Sequence, residues 1–146
     1  MKKLLKMGIC IMMAAVVLSG CGGGNSKTET AVYEGEINGV KVSNTIDYSG
    51  DRVLKQTSVS EMNFKDLGIT KDLMEQTVAQ YKKLYDIKGV TYKADITDDT
   101  ISETTVIDYE NADFDALKTA KLITSTKEDG KILYVSYEQT VKNLES

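Results

Sequence analysis

Two adjacent carboxylates, Asp98 and Asp99, are the residues whose type and spacing first suggest chemistry in this chain. Two carboxyl groups can act as acid and base, as in glycoside hydrolysis, when both face one substrate. Here the pair lies between two predicted strands, where Asp is favoured because its side chain hydrogen-bonds the backbone of a turn. The sequence therefore favours an exposed turn over a catalytic pair.

Alternate acidic residues raise a second possibility, a calcium loop, because Asp95, Thr97 and Asp99 are spaced like the first ligands of such a loop. The full pattern needs a Gly at its sixth position and a Glu at its twelfth, which are Thr100 and Val106 here. Glu110, Asp113 and Asp115 form a second acidic cluster, at the start of a predicted short helix. Capping of that helix and a favourable interaction with its dipole explain these residues without a ligand. The sequence predicts no metal site and no cofactor.

The composition of the 146 residues removes whole classes of enzyme, because the chain contains no His. Catalytic Ser-His-Asp and Cys-His arrangements and His-zinc centres are thereby excluded. The chain also lacks the glycine-rich phosphate-binding patterns and the G-x-S-x-G pattern of a nucleophilic serine. A formal charge of −4 argues against nucleic acid as a partner, since phosphate binding needs a basic face. We therefore expect a protein that is not an enzyme.

The N-terminus predicts export and lipid attachment. Three Lys precede an uncharged apolar run over residues 7–18, which is shorter than the roughly 20 residues that a membrane-spanning helix needs. The run ends in Leu18-Ser19-Gly20-Cys21, which resembles the bacterial lipobox. Residues 1–20 are thus predicted to be a lipoprotein signal peptide. Lipid on Cys21 would then hold the protein at the extracytoplasmic face of the cell membrane.

Removal of the signal leaves a thiol-free acidic protein. Fifteen basic residues remain against 22 acidic ones, which gives a net charge of −7. Cys10 leaves with the signal and the sulfur of Cys21 carries the lipid, so no disulfide and no thiol chemistry is expected. Residues 21–30 are Gly-rich and polar and predict a flexible tether. Residues 31–146 are predicted to form a single domain.

Strand patterns dominate the first half of this domain. Asn38-Gly39 is a strong hairpin signal, and it joins predicted strands at 32–37 and 40–49. Within the second strand, apolar and polar residues alternate from Val40 to Tyr48, which indicates one buried face. A turn at 49–51 leads to a third strand over 52–63, and the three strands are predicted to form an antiparallel meander.

Helical periodicity begins after residue 69. Thr70 is the predicted N-cap, and an apolar stripe follows at Met74, Val78, Tyr81 and Tyr85. Strands at 90–96 and 101–109 are followed by a short helix capped by Asn111 or Asp113. A second hairpin at Asp129-Gly130 is predicted to join 122–126 to 131–136, and a last short helix covers 137–144. This order predicts an α+β domain, an antiparallel sheet of hairpins with one long and one or two short helices packed on one face.

Eight Tyr stand out in a chain with two Phe and no Trp. Four fall on predicted core faces, namely Tyr48, Tyr81, Tyr85 and Tyr92. The last predicted strand is apolar on both faces, so one of its faces must be covered or used. The possible interaction surface predicted here consists of Leu133, Tyr134, Val135 and Tyr137.

The order of several short patterns along the chain carries a family resemblance. These are Tyr33-x-Gly35-x-x-Asn38-Gly39, Tyr48-x-Gly50-Asp51, Lys55-Gln56-Thr57, Ile87-Lys88-Gly89-Val90-x-Tyr92, and Asp108-Tyr109 followed by Ala112-Asp113-Phe114. In this the chain resembles the YehR-like lipoproteins, also described as domain of unknown function 1307. The resemblance implies a small α+β envelope lipoprotein, and it implies no activity, substrate or catalytic residue.

The leading hypothesis is a non-catalytic binding or interaction module, anchored to the membrane by lipid on Cys21, whose partner is an envelope protein or a small ligand. An alternative is a carboxylate-dependent hydrolase of cell-wall glycan, which needs two carboxyl groups about 5–10 Å apart in a cleft. A third hypothesis is a scavenger of divalent cations.

Overall fold

The computed structural model describes residues 27–145, which form seven strands and three helices. The elements, in chain order, are β1 (Glu29–Ile37), β2 (Val40–Ser49), β3 (Arg52–Asn63), α1 (Lys71–Leu84), β4 (Val90–Ile96), β5 (Thr100–Asp108), α2 (Phe114–Thr119), β6 (Lys127–Asp129), β7 (Ile132–Tyr134) and α3 (Tyr137–Leu144).

The main sheet is antiparallel and has the strand order β1-β2-β3-β5-β4. The sequence predicts that neighbouring strands are joined by short turns, and this is correct for three of the four pairs. The fourth pair is different, because β5 lies between β3 and β4 and pairs with β3 along nine residues. After β3 the chain passes through α1 to β4, which is the edge strand. β5 then returns and pairs with both β3 and β4. β6 and β7 form a separate two-stranded hairpin.

The predicted first hairpin is confirmed by its backbone. Asn38 and Gly39 have φ values of 54° and 80°, as the predicted turn requires. β2 occupies the predicted range, and the side chains of Asn44, Ile46 and Tyr48 are buried along one face. β1 begins three residues earlier than predicted, at Glu29.

The helix α1 covers one end of the sheet. Thr70 is its N-cap, and its hydroxyl accepts a hydrogen bond from the Leu73 N–H at 3.3 Å. Met74 and Val78 are buried against Phe64 and Ile101. The predicted stripe therefore reaches the core with its first two members only.

The other two helices cover the opposite end of the same face. Leu117 of α2 is fully buried, and Val141 and Leu144 of α3 pack against the same cluster. The sheet contributes the rest of this cluster, which is formed by Ala31, Tyr33, Ile46, Tyr48, Val53, Ile107 and Tyr109, with Ile123 and Val135 from the C-terminal segment. The predicted α+β class, with an antiparallel sheet and helices packed on one face of it, is confirmed.

A strip of polar side chains separates the two apolar clusters. Ser58 and Gln56 donate hydrogen bonds to Asn44 Oδ1 at 2.6 and 3.3 Å. Tyr109 donates to Gln56 Oε1 at 3.1 Å. The buried amide of Asn44 is thereby satisfied, which removes the large cost of an unpaired polar group in the interior.

The C-terminal segment corrects one prediction, because 122–126 is not a strand. α2 ends in a Schellman motif, in which Leu122 N–H bonds to Leu117 O and Lys121 N–H bonds to Lys118 O, both at 3.0 Å. Lys121 takes the left-handed conformation with a φ of 58°. Its reversal turns Leu122 and Ile123 into the core, so their apolar character reflects packing rather than strand pairing.

Candidate functional site

A groove of about 460 Å³ lies between the β6–β7 hairpin and the loop that connects β5 to α2. β3 supplies its base through Arg52, Val53 and Leu54. The remaining lining comes from Tyr109, Glu110, Ala112 and Phe114 on one side and from residues 131–134 on the other. A groove with an apolar base and a few polar groups at its rim is the usual form of a binding site.

Aromatic rings form one wall of the groove. The rings of Tyr109 and Phe114 are stacked, with centroids 6.3 Å apart and planes 29° apart. Burial raises the pKa of Tyr109, whose hydroxyl is held by Gln56. Tyr109 is buried at 6% exposure and backs the half-buried Phe114, whose ring is the more accessible part of this wall.

A close backbone contact fixes the loop that carries this wall. Gly89 has a φ of +84°, and a Cβ placed on it would lie 2.5 Å from the Cα of Ala112. The Asp113 N–H also donates to Lys88 O at 3.2 Å. Only glycine permits this approach, so Gly89 sets the position of the residues 110–114 against the end of the sheet.

The opposite wall is the β7 strand, where the sequence predicts an interaction surface. Leu133 and Tyr134 do line the groove, and Leu133 is 41% exposed. The neighbouring Ile132 is 56% exposed, although it is not among the residues predicted for this surface.

The other two residues of the predicted surface lie elsewhere. Val135 belongs to the core at 7% exposure, because its carbonyl accepts a hydrogen bond from Val53 N–H at 2.9 Å and draws the strand end onto the sheet. Tyr137 is half-buried, and its ring stacks on that of Tyr48. The prediction of Val135 as a surface residue is therefore wrong.

Arg52 connects the groove to a second cleft of about 610 Å³. Its guanidinium lies 5.4 Å from the centroid of the Tyr134 ring, and its Nη2 lies 4.0 Å from Asp129 Oδ2. The second cleft is also lined by Thr28 and by the carboxylates of Asp51 and Glu110. Both cavities therefore share a cation held over an aromatic ring.

Asp51 ties the hairpin and α3 to the end of the sheet. The Ser136 hydroxyl lies 2.8 and 2.9 Å from its two carboxylate oxygens, and Lys127 Nζ lies 2.8 Å from Oδ2. The Glu138 N–H donates to Oδ1 at 3.0 Å. Partial burial acts to raise the pKa of Asp51, but these hydrogen bonds outweigh it and hold the pKa below its ordinary value. One ionised side chain thus positions the hairpin wall of the groove and the start of α3.

The carboxylate pair Asp98 and Asp99 lies in the β4–β5 turn, as predicted. Each forms its own ion pair, Asp98 with Lys71 at 2.8 Å and Asp99 with Lys65 at 2.9 Å. The two carboxylates thus brace the start of α1 and the loop that follows β3. Asp113, rather than Asn111, is the N-cap of α2. Within residues 27–145, no three acidic side chains come together in a way that could hold a metal ion.

One of the four tyrosines predicted to lie on core faces is exposed. Tyr48 is buried and Tyr85 and Tyr92 are half-buried, but Tyr81 is 37% exposed and lies outside the core. Its ring stacks on Tyr85 with centroids 5.6 Å apart. The C-terminal end of α1 lies over the edge strand β4, beyond the apolar cluster. The rings of Tyr81 and Tyr85 therefore pack on each other and on Tyr92.

The sequence did not predict the groove, because its lining comes from three separate segments of the chain. Only the apolar run 132–135 signals it locally.

The uncovered face of the sheet also holds a shallow hollow of about 590 Å³, lined by residues that include Glu34, Ser43, Val59 and Glu61.

The predicted signal peptide, residues 1–20, and the predicted lipid attachment at Cys21 lie outside the described residues 27–145. Within that part of the chain, every helix is too short or too polar to cross a membrane.

Comparison with known proteins places these features in a family. The model of the family described as "Protein of unknown function (DUF1307)" matches residues 29–146. The uncharacterized lipoprotein YehR of Escherichia coli is 33% identical over 83% of this chain and 80% of its own length. The uncharacterized lipoprotein Lmo0207 of Listeria monocytogenes is 32% identical over 99% of this chain and 94% of its own.

A solved structure extends the comparison to the fold. The NMR structure of the E. coli YehR protein matches with a TM-score of 0.64 and 27% identity, covering 84% of this chain and 88% of that one.

Proposed function

This chain belongs to the DUF1307 family, whose relatives are uncharacterised lipoproteins, and on that premise we propose that it is a non-catalytic binding protein. Lipid on Cys21 would anchor it at the extracytoplasmic face of the cell membrane. Its lipoprotein relatives support membrane anchoring. The lipobox-like sequence ending at Cys21 and the preceding short apolar run support this position for the anchor.

The observation that carries the binding role is the groove beside β7. It combines stacked rings, two exposed aliphatic side chains on its rim and a guanidinium over Tyr134. Apolar surface of this kind, rimmed by charge, is typical of sites for a protein segment or a small amphipathic ligand. We propose that the groove takes an apolar group of such a partner between Phe114 and the exposed side chains of Ile132 and Leu133. A polar group of the partner would lie towards Arg52 and the neighbouring carboxylates of Asp129 and Glu110.

Photo-crosslinking in intact cells tests this site. Tyr134 is replaced by a benzophenone amino acid of similar shape, and the same replacement of Tyr81 serves as the control. Tyr81 is an exposed ring on α1, outside the groove. We expect an adduct from position 134 that is absent from position 81. Equal adducts at both positions, or none at position 134, would show that the groove is not the binding site.

The anchor is tested separately by the intact mass of the native protein. We expect a chain that begins at Cys21 and carries acyl groups. A retained leader, or an unmodified Cys21, would contradict the anchor without bearing on the groove.

A carboxylate-dependent hydrolase remains the second candidate, since the cleft next to the groove holds Asp51, Glu110 and Asp129. Two of the three are already engaged, Asp51 by its three hydrogen-bond donors and Asp129 by Arg52. The lowered pKa of Asp51 is the opposite of what a general acid requires. Glycan turnover that is abolished by Glu110→Gln would establish hydrolysis in place of binding.

A further inference from the structure

We propose that the tip of the β6–β7 hairpin, residues 131–133, rests on the surface of the membrane to which the chain is anchored. The mouth of the groove would then face the lipid headgroups. This inference deepens the proposed function and rests on the lipid at Cys21.

The starting observation is where the chain enters the fold. Thr28 lines the same cleft as Asp129 and Tyr134, which are residues of the β6–β7 hairpin. The polypeptide that leads back to Cys21 therefore leaves the fold beside this hairpin.

The reach of that polypeptide is limited. Seven residue steps separate Cys21 from Thr28, and even a fully extended chain covers at most about 25 Å in that number of steps. The hairpin is consequently kept close to the bilayer whenever Cys21 carries its lipid.

The opposite end of the sheet is out of reach of the tether when the domain stands upright. β2 runs the length of the sheet over ten residues, which correspond to about 30 Å at the rise of a strand. A domain standing upright on its far end, where Ile37 is 49% exposed, would hold Thr28 farther from the bilayer than the tether reaches. Contact through Ile37 therefore requires a strongly tilted domain, whereas contact through the hairpin does not.

The β7 side of the hairpin suits a lipid surface, whereas its β6 side carries the exposed charges of Glu128 and Asp129, which pair with Leu133 and Ile132. Ile132 and Leu133 are adjacent in a strand and point to opposite faces, and both are exposed. Lys131 beside them is also exposed and has a long stem that can lie along apolar surface while its charge stays in water. Tyr134 follows Leu133 in β7, and the guanidinium of Arg52 lies over its ring. Tyr is enriched at the interface between lipid and water.

Charge indicates how the contact is made. The predicted mature protein carries a net charge of −7, so attraction to an anionic surface does not hold the domain there. Contact depends instead on the aliphatic side chains, which are weak on their own but act at the high effective concentration that the anchor provides. We therefore expect the contact in zwitterionic vesicles and at high salt.

A dye at the tip tests the proposal in the full lipidated protein. Residues 27–145 contain no Cys, so Leu133→Cys introduces a single site for an environment-sensitive label, and Ile37→Cys provides the matched control at the far end. The two proteins are reconstituted in phosphatidylcholine vesicles that contain a lipid with a quencher near its headgroup. We expect quenching at least about twofold stronger at position 133, because the tip lies at the headgroup boundary.

The outcomes separate this inference from the proposed function. A confirmed lipid on Cys21 with equal or absent quenching at the two positions overturns the membrane contact and leaves the anchor intact. Shielding of position 133 that appears only when other envelope proteins are added overturns it in favour of a protein surface. A mass that shows no lipid on Cys21 removes the anchor, and this inference falls with it.

Discussion

The ring of Tyr137 lies flat on the ring of Tyr48, with 3.7 Å between centroids and 5° between planes. The hydroxyl of Tyr137 is also 2.7 Å from that of Tyr33. This contact joins the first residue of α3 to the end of β2 and the middle of β1. None of the residues of the last helix is buried, and this contact in its first turn holds the helix together with Val141 and Leu144, which pack against the core.

Substitutions at Tyr137 should separate ring stacking from the hydroxyl contact. We expect Tyr137→Ala to lower the free energy of unfolding by about 2–3 kcal/mol, because it removes a half-buried ring. Tyr137→Phe keeps the stack and should cost only about 1 kcal/mol for the lost hydrogen bond. Denaturant titration gives both values. Equal losses for the two variants would mean that the stacked ring contributes little.

Asp51→Asn should lower the free energy of unfolding by about 1–2 kcal/mol at neutral pH, since hydrogen bonds to an ionised group are lost. The side chain of Asp51 is 36% exposed, which places the effect towards the low end. Asp129→Asn is the matched control. Its carboxylate is 81% exposed and 4.0 Å from Arg52, so a change below about 0.5 kcal/mol is expected.

The advantage of Asp51 over Asn should depend on pH in one direction. Because the pKa of Asp51 is lower in the folded protein than in the unfolded chain, its stabilisation is present above the ordinary pKa and is lost as pH falls through the folded value. Unfolding curves of the native protein and the variant should therefore converge in acid. A constant difference down to pH of about 2 would contradict this assignment.

Gly89→Ala should be among the costlier single-methyl additions in this chain. It combines a left-handed backbone with a Cβ that meets Ala112 Cα at 2.5 Å. We expect a loss of about 2–4 kcal/mol. Gly130→Ala has a similar φ of +64° but no atom within 4 Å, so only the backbone cost of about 1 kcal/mol should remain. Thermal unfolding of the two variants isolates the effect of the contact with Ala112. Equal losses of stability would show that the loop carrying Ala112 moves to accommodate the added methyl group.

Alkaline titration should show tyrosines that resist ionisation. Burial and the neighbouring Tyr137 and Glu29 raise the pKa of Tyr48 to about 12, and burial and Tyr33 raise that of Tyr137 to about 12. The pKa values of Tyr85, Tyr92 and Tyr109 are also raised, chiefly by burial. The neutral phenols therefore stabilise the fold below pH of about 10, and this stabilisation is lost as pH rises through the folded values.

Near-ultraviolet absorbance measures the tyrosinate formed. We expect incomplete ionisation while the fold persists and a second rise that coincides with alkaline unfolding seen by circular dichroism. Ionisation of all eight tyrosines in one step, with the fold intact, would contradict the burial of these hydroxyls.

Local patterns predicted most of the elements, because the forces that set them act over a few residues. The Asn38-Gly39 turn, the Thr70 cap and the alternation along β2 each depend on neighbours in the chain. The strand predicted at 122–126 is the instructive failure. Its apolar residues, Leu122 and Ile123, are buried by the reversal after α2, and burial by packing gives the same local pattern as burial in a sheet.

The candidate site was only partly visible in the sequence. The apolar run at 132–135 predicted a surface, and Leu133 and Tyr134 line the groove. The same run also contains Val135, which faces the core. Nothing in the local pattern distinguishes the two, because the choice depends on the hydrogen bond between Val53 and Val135 across the fold.

By itself, the sequence determined the α+β class, the succession of its elements up to α2 and the absence of histidine chemistry, since composition and periodicity act residue by residue. Tertiary structure alone decided that β5 enters between β3 and β4 and that Asp51 gathers Ser136, Lys127 and Glu138 around one carboxylate. It also decided that Arg52 lies over Tyr134. These pairings join residues far apart in the chain, and their partners are selected by the packing of the whole domain rather than by any neighbouring residue.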